Sequence, residues 1–156
     1  MIYEIETEVL TPVPVLYQQR RVERQALGDA LAETLPAVFG YAIESGLAPA
    51  GHPFVRYLTM SPAYMTIDAG IPLVETASAP PAATGICVGE LPGGLAAVTV
   101  HKGPYDDLGN AHAALDRWIT DSEHESAGEL WEMYLTDPGE VPNPADWLTK
   151  VCWPVT

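Results

Sequence analysis

Two cysteines, Cys87 and Cys152, stand far apart with no CxxC spacing, so the 156-residue chain has neither a disulfide framework nor a thiolate metal cage. Both read as buried thiols. The four histidines, at 52, 101, 112 and 124, make no HxxxH or HExxH pattern, and no metal site is expected. Gly-rich phosphate loops are missing, since Gly93-Gly94 reads only as a turn, and no cofactor is expected. No GxSxG elbow occurs, and spacing suggests no Ser, His and Asp set. Basic residues are scarce: 7 Lys and Arg face 21 Asp and Glu, for a net charge of −14. Direct binding to nucleic acid or to an anionic membrane needs a basic footprint, so both are excluded as partners. No apolar run reaches membrane-spanning length. The acidic start, Met-Ile-Tyr-Glu-Ile-Glu-Thr-Glu, shows no signal-peptide pattern, and a cytoplasmic location is expected.

What the chain does have is a core-forming composition, 47% hydrophobic, and a duplication. Leu27-Gly28 and Ala30 recur as Leu108-Gly109 and Ala111, 81 positions on. Tyr57-Leu58-Thr59 returns as Tyr134-Leu135-Thr136 and Pro72 as Pro154. Strand-like stretches at 3–9, 13–22, 54–59, 64–68, 86–91, 95–101, 130–136 and 147–155 alternate or are β-branched. Leu27, Leu31, Leu35, Val38 and Ala42 recur at helical spacing, with Pro36 predicting a kink or restart. Leu108, Ala111, Leu115, Trp118 and Ile119 form a second stripe. Residues 1–76 and 85–156 thus read as two modules of one domain, joined by a linker over Thr76 to Thr84. The predicted class is α+β: duplicated strand-helix-strand-strand modules giving an antiparallel sheet of about eight strands. The helices are expected on one face, with a ligand groove at the pseudo-twofold seam. Gly28 and Gly109, at the same place in both helices, suggest close helix approach or drift in a tolerant helix.

The segment Leu130-Trp131-Glu132-Met133-Tyr134-Leu135-Thr136 carries the most chemistry. Strand alternation puts Trp131, Met133 and Leu135 on one face, expected to meet the helices. Glu132 and Tyr134 share the other, expected to be helix-free. The matching positions of the first module are Val55 and Tyr57, so the acid is unpaired in the repeat while the tyrosine is repeated. A carboxylate among aromatic rings suits a flat organic cation. Polar residues on an open sheet face also occur without function. His101, at the end of a strand before Gly103-Pro104, reads as structural.

At Val98-Thr99-Val100-His101-Lys102-Gly103-Pro104-Tyr105, Trp131 to Pro138 and Trp153-Pro154-Val155, the chain resembles the GyrI-like family of small-molecule-binding domains. These also serve as effector-binding domains of AraC-type and MerR-type multidrug regulators. The first module matches more loosely and has no counterpart of Glu132. The resemblance implies a groove for lipophilic, often cationic, aromatic compounds, with Glu132 as its acid. Tyr134 and Tyr57 would stack on the ligand, with Trp131, Trp153 and Val55 as wall or support. With no helix-turn-helix or basic region in the 156 residues, a stand-alone member is expected. Two other functions go with the resemblance. One is a hydrolase of strained, cyclopropane-containing toxins with Glu132 as general base; the other is a gyrase-inhibitor-type module acting on a protein partner.

Overall fold

The computed structural model describes residues 3–156. It is α+β, with eight strands and two helices: β1 Glu6–Leu10, β2 Val13–Glu23, α1 Leu27–Glu44, β3 Phe54–Met60, β4 Tyr64–Pro72, β5 Ile86–Leu91, β6 Gly94–Lys102, α2 Leu108–Asp121, β7 Trp131–Tyr134 and β8 Leu148–Pro154. No helix among the described residues is long and apolar enough to cross a membrane.

The chain forms two compact units. One is Pro12–Pro92; the other joins the described residues up to Thr11 with Gly93–Thr156. In the first unit the strands run β3-β4-β2-β5, every pair antiparallel. Helix α1 packs on β2 and β4, and Leu16, Val38, Ala42, Ile71, Leu73 and Ile86 make its core. In the second the order is β1-β6-β8-β7, again antiparallel. Helix α2 lies on β6 and β8 and buries Leu108, Ala111, Leu115 and Ile119.

The repeat is visible in the pairing. Leu91 stands opposite Val13 in one unit, and Leu10 opposite Gly94 in the other. These are the same pair, 81 positions apart on each strand, with the first strand of each half paired into the other half's sheet. The compact units therefore differ from the contiguous modules 1–76 and 85–156 in the place of that strand. The chain passes between units at Thr11-Pro12 and Pro92-Gly93, while the Thr76 to Thr84 stretch lies inside one unit and ends in a single 3-10 turn, Ala82–Thr84. Both helices are also entered through a 3-10 turn at matching positions, Arg24–Ala26 and Tyr105–Asp107.

Three local expectations change. Helix α1 runs unbroken through Pro36, which is exposed and needs no buried donor replaced. A Cβ at Gly28 or Gly109 would meet nothing within 4 Å, so neither glycine marks a close approach. The tight place is Gly70 on β4, where a Cβ would lie 1.9 Å from the Leu16 carbonyl oxygen of β2. Cys87, on β5, is exposed, whereas Cys152 is buried as expected. Burial pushes the Cys152 thiol up to about 11, with Lys150 pulling against it and Glu8 adding to it.

Candidate functional site

The site is built on the sheet face that α2 covers. Strand register decides which side chains share that face, because residues opposite one another in an antiparallel pair point the same way. Glu132 lies opposite Val151 and Tyr134 opposite Thr149; Thr99 lies opposite Val151, His101 opposite Thr149 and Ala97 opposite Trp153. Glu132, Tyr134, Thr149, Val151 and Trp153 therefore share one face. Trp131 and Met133, opposite Cys152 and Lys150, share the other.

The helix closes over the Glu132 face. His112, on the flank of the α2 stripe, bonds Glu132 Oε2 from its Nε2 at 2.5 Å. This overturns the expected assignment of faces: Glu132 and Tyr134 meet the helix, and Trp131 does not share their side. Both faces of β7 are buried, with Trp131 3% and Glu132 0% exposed, so a polar side was not the open side.

Glu132 is fully buried, and a buried carboxyl group needs hydrogen-bond partners to offset the water it has lost. It has one on each oxygen. The Tyr134 hydroxyl donates to Oε1 at 3.1 Å, and the His112 ring N–H donates to Oε2.

Aromatic rings extend from Tyr134. The Tyr105 ring centroid lies 5.2 Å from that of Tyr134 and 4.7 Å from that of Trp147, both tilted, in the range of favourable ring pairs. The Trp147 indole N–H donates to the Val141 carbonyl at 2.6 Å, which anchors the far ring. Burial raises the Tyr105 hydroxyl above its ordinary value, and the negative Asp137 and Glu132 add to the shift. It therefore remains a neutral donor in the physiological range.

The turn that presents Tyr105 explains its motif. Gly103 has φ +134°, which an L side chain rarely adopts. The amide of Gly103 donates to the Trp147 carbonyl at 2.9 Å. His101 is fully buried; its Nε2 bonds the Pro104 carbonyl at 3.1 Å, and its Nδ1 bonds the Tyr3 hydroxyl at 2.9 Å. His101 is thus structural: it braces the Gly-Pro-Tyr turn from beneath.

Trp153 shares the Glu132 face one step along β8, half-buried, with its indole N–H donating to Ser126 Oγ at 2.9 Å. Tyr57 and Val55 are buried on β3 of the other unit, opposite Ile67 and Ala69. The sequence reading missed His112 and Trp147, and noticed Tyr105 only as part of a motif. The signal for His112 was present: it matches Leu31 in the other half, as Glu132 matches Val55, so both partners of the polar pair replace apolar residues. Among the described residues no group of three or more His, Cys, Asp or Glu could hold a metal ion.

The chain belongs to the family of GyrI-like small molecule binding domains, whose sequence profile matches residues 3–156. No curated protein sequence matches it. Among solved structures, the EcmrR C-terminal domain is 21% identical with a TM-score of 0.83, covering 100% of this chain and 99% of that one. EcmrR in its DNA complex is 20% identical with a TM-score of 0.82, covering 98% of this chain. This chain spans only 57% of that EcmrR chain. SAV2435 bound to tetraphenylphosphonium is 10% identical with a TM-score of 0.60, covering 100% of this chain and 94% of that one. At these identities the likeness is one of fold.

Proposed function

We propose that this domain binds lipophilic, cationic aromatic small molecules, with Glu132 as the counter-charge and Tyr134, Tyr105 and Trp147 as the aromatic wall. The observation that carries the reading is a fully buried carboxylate bonded to the hydroxyl of one ring of an aromatic row. A buried negative charge attracts a cation far more strongly than an exposed one, because little water screens it. Ring faces attract the same cation and add apolar contact. A large organic cation loses little hydration on entry, unlike a metal ion or an ammonium. The net charge of −14 concentrates cations near the surface. The fold shared with SAV2435, which was solved with tetraphenylphosphonium, supports the same ligand class. Trp153 remains a candidate support, and Trp131 can contribute only from the opposite side of β7.

Hydrolysis by the same acid is the less favoured use. A general base must offer an oxygen to water. Each Glu132 oxygen accepts one bond, from Tyr134 or His112, which suits holding a charge in place, and the remaining lone pairs are what a general base would have to offer.

Titration of tetraphenylphosphonium against the wild-type chain and Glu132→Gln tests the reading. Loss of the counter-charge is expected to weaken binding by about 1–3 kcal/mol. Equal affinities would remove Glu132 from the account.

A further inference from the structure

We infer that Tyr3, in the segment before β1, is a positioning residue of the ligand site: through His101 it holds the turn that presents Tyr105, so ligand binding at the aromatic wall and docking of that segment on β6 favour each other. The inference rests on the proposed binding of organic cations at that wall. Its basis is a continuous line of contacts. The Tyr3 hydroxyl bonds His101 Nδ1 at 2.9 Å, and the two rings stack with centroids 5.9 Å apart. His101 Nε2 donates to the Pro104 carbonyl at 3.1 Å, since a carbonyl only accepts. That carbonyl also accepts the Asp107 amide at 3.2 Å, a bond of the 3-10 turn Tyr105–Asp107. Tyr105 follows Pro104 directly, and its ring meets those of Tyr134 and Trp147.

Three further observations tie the segment to the turn. Burial raises the Tyr3 hydroxyl above its ordinary value, and the negative Asp107 adds to the shift, so Tyr3 senses the far end of the same turn and keeps its proton. Thr99 Oγ1 donates to the Glu4 carbonyl at 2.7 Å, which fixes the next residue of the segment to β6. A Cβ at Gly103 would lie 3.6 Å from His101 Nε2, so the imidazole also lies against the backbone of the turn.

The consequence is one of pre-organisation. Removing the Tyr3 hydroxyl takes away the partner of a ring nitrogen on a fully buried side chain. The imidazole then has reason to turn, its bond to Pro104 loosens, and Tyr105 meets a ligand from a less ordered turn. Ordering that turn on binding subtracts from the affinity. The coupling is reciprocal: a ligand that needs Tyr105 in place strengthens the hold on the Tyr3 segment by the same factor.

Tetraphenylphosphonium is titrated against wild type, Tyr3→Phe, Tyr105→Leu and the double variant, and amide hydrogen exchange over residues 3–5 is followed in wild type with and without it. Phenylalanine keeps a ring against His101 and removes only the hydroxyl. Tyr3→Phe is expected to bind the cation about fivefold more weakly than wild type. In the Tyr105→Leu background the same change is expected to have no further effect, because the ring it positions is gone; a role confined to folding would weaken both backgrounds alike. In wild type the cation is expected to slow exchange over residues 3–5 by about fivefold. Wild-type affinity in Tyr3→Phe, or an equal loss in both backgrounds, overturns the role of Tyr3 and leaves the cation site standing. Should a variant not fold, or bind too weakly to titrate, the exchange decides: rates that the cation does not change overturn the inference. If the cation does not bind wild type, the proposed function and this inference both fall.

Discussion

His112 Nε2 and Glu132 Oε2 stand 2.5 Å apart, and the matching positions in the other half of the chain hold Leu31 and Val55. One half of the duplication therefore carries a hydrogen-bonded polar pair where the other carries two apolar side chains. The two positions differ together between the halves, and the physical reason is plain: an acid alone at position 132 would be a buried carboxyl lacking the imidazole partner.

That coupling is measurable by urea denaturation. His112→Leu removes a partner from a fully buried carboxylate, and a loss of about 1–3 kcal/mol is expected. Glu132→Leu leaves a histidine that reaches solvent, so its loss is smaller. The double variant restores the apolar pair of the other half. It is expected within about 1 kcal/mol of wild type, giving a coupling energy of at least about 1 kcal/mol. Additive losses would mean that the two side chains do not depend on each other.

The two thiols should separate cleanly. Cys87 is exposed, while Cys152 is buried and its thiol is held up at about 11. At pH 8 the thiolate of Cys152 is scarce as well as shielded. A colorimetric disulfide reagent is expected to titrate one thiol per native chain and two after denaturation. Cys87→Ala should abolish the native reaction, and rapid labelling in that variant would contradict the burial of Cys152.

Glycines in crowded and in open surroundings should behave oppositely. Gly70→Ala drives a methyl into the Leu16 carbonyl of the neighbouring strand, and a loss above about 2 kcal/mol is expected as the backbone shifts. Gly28→Ala and Gly109→Ala meet open space in helical backbone. They should be neutral or stabilising, by up to about 1 kcal/mol each. Thermal melts of the three variants rank them, and a destabilised Gly109→Ala would point to a contact absent from the structure.

The elements themselves were largely legible. β5 occupies the predicted 86–91, and β2 and β6 differ from their predicted spans by single residues at their ends. Period-two alternation and turn residues are local properties, set by the chain's own backbone. The duplication was legible for the same reason, since it compares the chain with itself. Pro36 misled because a proline forbids only its own N–H bond and a clash one turn back, and an exposed helix face tolerates both losses.

Alternation along β7 correctly set Glu132 and Tyr134 against Trp131 and Met133. It could not say which side the helix covers. Hydrophobicity usually decides that, but here both sides of the strand are buried, and the fully buried acid lies on the helix side. The sequence by itself determined the strands, the helices, the repeat and the residue that breaks it, because each depends on neighbours in the chain. Only the tertiary structure decided that His112, twenty positions away on a helix, is the partner of that acid, and that the first strand of each half pairs with the other half's sheet. Those contacts join residues remote in sequence, and they are fixed by packing and strand register rather than by local preference.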